Sequence, residues 1–185
     1  MTILAKHSKR ILLRRQLQTN IILRSLSDPD FDALEPLLTI TEHKKGDVLL
    51  NRGAHEMEQF FIIDGVLKRS VSNPEGKEMI LRFAKEDDME TTYAAWRLRT
   101  PAPYSIVAVT RVMVARLPLP QWAQFIEARP DLKADFEYEV MFLMSEVMAH
   151  TITLHLLDAP GPTPDGDLGD GGQGPRRRQP AGSPV

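Results

Sequence analysis

Between Lys44 and Phe83 the chain alternates short apolar segments with glycines at Gly46, Gly53, Gly65 and Gly76, and this spacing restricts the fold more than any other feature. Turn signals about ten residues apart point to an all-β sandwich or barrel rather than βαβ units. Each glycine is expected where the backbone needs a positive φ, which strains any residue carrying a Cβ. Asn73-Pro74-Glu75-Gly76 has the residue types of a turn between two strands. Strands are therefore expected from about Ile40 to Leu81, and again from Tyr104 to Leu117 with Thr110 and Arg111 as the turn.

Helices are expected on both sides of this β region. Residues 3–26 place Ile11, Leu13, Leu17, Ile21 and Leu26 among basic and polar residues, the pattern of a loosely amphipathic helix. Its Lys6, Lys9, Arg10, Arg14 and Arg15 are read as a solvated face, with contact to phosphates as the alternative. Ser27 can cap the next helix, Asp30 can close a capping box and Pro29 suits the first turn, so that Phe31, Leu34, Leu37 and Leu38 form a buried stripe. A short helix follows from Pro118 to Glu127, and a long one from Asp131 to about Leu157. Along it Phe136, Val140, Leu143, Val147, His150, Leu154 and Leu157 recur at alternating steps of four and three, a heptad seam. Met141, Met144, Met148, Ile152 and Leu156 make a second apolar stripe. A helix apolar on two sides must bury both. One can cover the sandwich and the other a second copy of the chain, so a homodimer is expected through the heptad seam. The competing reading is one broad core-facing stripe in a monomer.

The wording of the glycine frame is specific. Gly46-Asp47-x-Leu49-x-x-x-Gly53, Phe60-Phe61-Ile62-x-x-Gly65-x-Leu67-Lys68 and Gly76-Lys77-Glu78-x-Ile80-Leu81-x-Phe83 resemble the cyclic nucleotide-binding domain of Crp/Fnr-type bacterial transcription regulators. The resemblance extends more weakly from about Asn20 to Ala159. It implies a mainly-β, jelly-roll-like β-roll with N-terminal helices and a long C-terminal dimerisation helix. The implied divisions are an N-terminal extension over 1–26, the roll with its flanking helices over 27–130 and the dimerisation helix over 131–159. Residues 160–185 are mostly Gly, Pro and charge, and are expected to be a disordered tail. Relatives continue there into a winged helix-turn-helix; here none is expected, as in a truncated or frame-shifted reading of a longer ancestor.

In cyclic-nucleotide binders of this family a Gly-Glu pair and a later Arg-Ser/Thr-Ala hold the ribose hydroxyl and the cyclic phosphate. A buried phosphate favours a guanidinium fork, and a ribose hydroxyl favours a carboxylate acceptor. Here Thr91 and Thr92 stand at the first motif and Ala102, Pro103 and Tyr104 at the second, so all the charged partners are missing. The candidate pocket is thus Thr91, Thr92, Tyr93, Ala102, Pro103 and Tyr104, with Arg97 or Arg99 entering from the loop between as the alternative to surface positions. No cyclic nucleotide binding is expected.

Composition narrows the other classes. The chain has no cysteine, which removes disulfides, thiolate catalysis and the iron–sulfur cluster of Fnr-like relatives. A net charge of -2 gives no overall attraction to nucleic acid or membrane. No apolar run approaches the roughly 20 residues of a membrane helix, so the cytoplasm is the expected location. The five histidines, His7, His43, His55, His150 and His155, form no cupin-type metal motif. No nucleophile–base order or phosphate loop stands out, so neither an enzyme nor a metal site is expected, and no cofactor is named. The reading is a sensor or effector-binding domain of a Crp/Fnr-type regulator that does not itself read DNA sequence. The alternative is a stand-alone small-molecule or haem-binding module acting through a protein partner.

Overall fold

A computed structural model of the protein describes residues 1–158. The long apolar segment Glu58–Asp64 forms β4, and its run from Gln59 to Ile63 is buried throughout. A strand buried on both faces needs a cover on each side. One face looks into the roll, and the other is covered by helices α1 (Arg10–Leu17) and α4 (Leu119–Glu127). β4 lies inside a five-stranded antiparallel sheet of order β1-β2-β9-β4-β7, with β1 at Thr2–Ile3, β2 at Thr39–His43, β7 at Met89–Glu90 and β9 at Val112–Pro118. The second sheet has order β3-β8-β5-β6, from Val48–Leu50, Ser105–Ala108, Leu67–Ser72 and Glu78–Ala84. The two antiparallel sheets form the expected jelly-roll-like β-roll, with helices at the N-terminus and a long helix at the C-terminal end of the described residues. The strands predicted from the glycine frame are present, and all four glycines have positive φ.

The N-terminal segment is part of the domain. β1 pairs with Thr39 and Ile40 of β2, and Leu4, Leu13 and Leu17 are buried in the main core. Helix α1 is shorter than the predicted amphipathic stretch and leaves Ile11 exposed. Arg14 pairs with Asp28, Asp32 and Glu35, while Arg10 Nε meets Glu35 Oε2 at 2.5 Å. These guanidinium groups therefore fasten α1 to α2 (Asp28–Leu34), which corrects the view of all five basic residues as one solvated face. Helix α2 starts as its sequence suggests, with Ser27 Oγ accepting from the Asp30 amide at 3.3 Å.

At the other end, α5 (Pro130–Asp158) is one continuous helix. Leu132, Phe136, Val140 and Leu143 are buried against the chain's own domain. Phe136 meets Trp122 of α4 edge-on at 5.3 Å, and Trp122 meets Phe61 of β4 at 5.2 Å. Truncating a ring in such a cluster typically costs about 3–5 kcal/mol. The first three positions of the predicted dimer seam thus belong to the domain's own core. Beyond them Val147 and Leu154 are half-buried, and His150 and Leu157 are exposed. The second stripe is the open one: Met141 is 62% exposed, Met148 62% and Ile152 54%. The seam assigned from spacing and the free face of the helix are therefore opposite sides of α5. The predicted tail lies outside the described residues.

Gly65 turns β4 into β5 with φ +91, and a Cβ there would fall 2.2 Å from the Arg111 carbonyl oxygen and 2.9 Å from Thr110 Oγ1. Gly76 has φ +83 with nothing within 4 Å of such a Cβ. Urea denaturation should therefore separate two substitutions of identical chemistry. Gly76→Ala is expected to cost about 1–2 kcal/mol from backbone strain alone, and Gly65→Ala about 3 kcal/mol or more because steric overlap adds to it. Equal costs would mean that the β8–β9 turn yields to the added methyl.

Candidate functional site

The segment predicted to carry the ligand cassette runs from β7 through the short helix α3 (Tyr93–Arg97) into β8. Thr91 and Thr92 are both buried at the start of α3. Thr91 Oγ1 accepts from the Tyr93 amide at 3.1 Å, while Thr92 Oγ1 has no partner among the described residues. Ala102 is buried, fixed by backbone hydrogen bonds to Gly53 and Ala54, each of 2.8 Å. Pro103 is exposed. Tyr104 reaches back across the cassette and donates its hydroxyl proton to the Thr91 carbonyl at 2.6 Å. The two halves of the predicted pocket are therefore joined directly to each other.

Arg97 and Arg99 do not enter this site. Both are exposed, Arg97 lying over the Tyr93 ring at 5.9 Å and Arg99 ending α3 with φ 57. Arg97 turns outward once Tyr93 and Ala95 of α3 face the core, and Arg99 lies past the end of that helix.

The charge inside the roll comes instead from residues that the sequence reading passed over. Arg69 on β5 is 3% exposed and Glu90 on β7 is fully buried. Glu90 Oε2 accepts from Arg69 Nε at 3.1 Å and Nη2 at 2.7 Å, and its Oε1 accepts from Arg82 Nη1 on β6 at 2.7 Å. The Tyr104 ring covers Arg69 at 4.2 Å, a cation–π contact within the usual range. Burial opposes the Arg69 charge, but Glu90 more than offsets this and holds the guanidinium above its ordinary range. Burial also pushes the Tyr104 phenol up to about 12. A signal for these residues existed. Arg69 shares the two-residue phase of Leu67, and Arg82 shares that of Ala84, both of them core residues.

Tyr93 links this site to the long helix. Its hydroxyl donates to Glu137 Oε1 on α5 at 3.0 Å, and its ring meets Phe136 edge-on at 5.0 Å. Burial, followed by the Glu137 contact, pushes this phenol up to about 12 as well. A separate open cleft of about 550 Å³ is lined by residues including His55, Met57, Trp96 and Arg116, and by neither Thr91 nor Tyr104. Among the described residues no group of three His, Cys, Asp or Glu is placed to hold a metal ion.

These strands and helices form a cyclic nucleotide-binding-like fold. Residues 40–129 match the family model described as the cyclic nucleotide-binding domain. Among solved structures, the sensor domain of the transcriptional regulator DNR from Pseudomonas aeruginosa superposes with a TM-score of 0.63 at 18% identity, covering 75% of this chain and 93% of that one. A proposed cAMP-binding regulatory protein from Silicibacter pomeroyi DSS-3 gives 0.57 at 21% identity over 78% of this chain. This chain spans only 62% of the Silicibacter protein's length. The N-terminal domain of a Streptomyces coelicolor A3(2) transcriptional regulator gives 0.50 at 17% identity, covering 83% of this chain and 99% of that one. At such identities the likeness is one of fold. A comparison with curated protein sequences found no match.

Folding keeps both Tyr93 and Tyr104 protonated beyond the ordinary phenol value of 10.0. Their contribution to stability is complete below pH 10.0 and is lost as pH rises through about 12. In a Tyr138→Phe variant, ultraviolet titration should therefore show phenolate appearing only toward pH 12, together with falling thermal stability. Full ionisation near pH 10 with the fold intact would contradict the burial of both hydroxyls.

Proposed function

We propose that the domain is the sensor of a Crp/Fnr-type transcriptional regulator whose cassette does not take a cyclic nucleotide. One observation carries this reading: Tyr104 and Thr91, which occupy the two cassette positions, bond to each other across the site. Neither position supplies a guanidinium for a phosphate or a carboxylate for a ribose. The charged groups nearby, Arg69, Arg82 and Glu90, are already engaged with one another. The domain is read as a cytoplasmic sensing element and not as an enzyme, its effector being a small molecule of another kind or none. No helix among the described residues is long and apolar enough to cross a membrane. Arg10 and Arg14 are held by carboxylates, which supports the reading that this chain binds no DNA sequence specifically.

The proposed working unit is a homodimer through α5, formed by the face opposite the roll. Tyr138, Met141, Phe142, Met144, Met148 and Ile152 are all exposed there, and none is charged. Methionine-rich apolar surface of this kind adapts readily to a facing copy. Buried Leu143 serves the monomer fold.

Two measurements test this reading. Losing charge-assisted phosphate contacts costs a few kcal/mol, each ~1.4 being tenfold in affinity, so calorimetry with cyclic AMP or cyclic GMP should detect no binding tighter than about 100 μM. Low-micromolar binding would reject the reading. In sedimentation, Met148→Glu should turn the dimer into a folded monomer, whereas Leu143→Glu should unfold the domain. A wild-type monomer at micromolar concentration would remove the dimer.

A further inference from the structure

Arg69 and Arg82 are direct cross-strand partners in the β5–β6 pairing, and both reach the same buried carboxylate. Like charges placed directly opposite each other repel, and a low-dielectric interior strengthens that repulsion. Asp88 Oδ2 lies 3.8 Å from Arg82 Nη2 at the edge of the pair, and an anion between the two guanidinium groups answers the repulsion that remains. Glu90 meets it from the other sheet, using one oxygen for each guanidinium.

We propose that Arg69 and Arg82 form a seat for a single oxyanion, and that the Glu90 carboxylate is its permanent occupant, an internal ligand. Tethered occupancy needs no free ligand, because a group on the same chain is always present at high effective concentration. Its consequence reaches α5. The segment after Glu90 is held by Tyr104 at the Thr91 carbonyl, and Tyr93 then bonds to Glu137 and packs on Phe136. The occupied seat thus sets the long helix in one position. This inference does not rest on the loss of cyclic nucleotide binding, since the seat is built from β5, β6 and β7 side chains outside the two cassette motifs.

Chemical rescue tests it without nucleotide present. In the full chain, Glu90→Ala should empty the seat, lower the melting temperature and speed amide exchange in residues 89–97 and 130–143. Sodium formate, compared with chloride at equal ionic strength, should then raise the variant's melting temperature by roughly 4 °C at about ten times its dissociation constant, and slow exchange in both segments. The wild type, with its seat filled, should move by less than about 1 °C. Formate shifting both proteins alike, or neither, would overturn the proposal. Glu90→Gln keeps the shape without the charge, and serves if the alanine variant does not fold. It should show the same faster exchange in 130–143 with no response to formate; wild-type exchange there would also overturn the proposal.

Discussion

Closing this roll brings two arginines face to face across neighbouring strands, and the rest of the interior depends on how that repulsion is met. Glu90 meets it from the opposite sheet, so a single carboxylate neutralises part of the charge and also ties the two sheets together. Burying Arg69 and Glu90, with Arg82 half-buried beside them, is costly, and a buried ion pair often contributes little net stability compared with well-packed apolar residues. Removing one partner, by contrast, leaves an uncompensated buried charge and is strongly destabilising. The network also includes the Met89 carbonyl, which accepts from Arg82 at 3.2 Å, the Asp88 carboxylate 3.8 Å from Arg82, the Thr91 carbonyl, which accepts from Arg69 at 3.4 Å, and the Tyr104 ring over Arg69.

Outside the roll an aromatic chain continues the same connection. Tyr93, Phe136, Trp122 and Phe61 touch in series, joining the cassette helix to α5, α4 and β4. Polar and apolar links therefore converge on Tyr93, where a hydroxyl and a ring contact adjacent residues of α5. A change in the cassette would be felt first at Glu137 and Phe136. Those residues lie on the part of α5 that the domain buries, while the exposed methionine face lies farther along the helix.

Much of the fold was legible because its signals are local. Glycine spacing marked the turns, Ser27 and Asp30 marked a helix start, and apolar runs such as Phe60 to Ile63 marked the inner strands. The two segments that the resemblance marked as a cassette do meet, through the Tyr104 hydroxyl and the Thr91 carbonyl. What stayed hidden depends on pairing between distant segments. Arg69, Arg82 and Glu90 come from three strands, and nothing local says that one carboxylate will face two guanidinium groups. Each arginine does keep the phase of its apolar neighbours, Leu67 and Ala84, which is the one local sign of its inward position. On α5, spacing identified two stripes but could not say which one meets the roll. That choice is made by Trp122 and Tyr93, which receive Phe136 from other elements.

If Glu90 organises this interior, Arg69 and Glu90 are an energetically coupled pair rather than two independently tolerated buried charges. A double-mutant cycle in urea, using Arg69→Met, Glu90→Met and the double variant, measures this directly. Each single variant should be destabilised by about 3–5 kcal/mol, and the double variant should recover at least about 1.5 kcal/mol relative to their sum. Strict additivity, within about 0.5 kcal/mol, would contradict it.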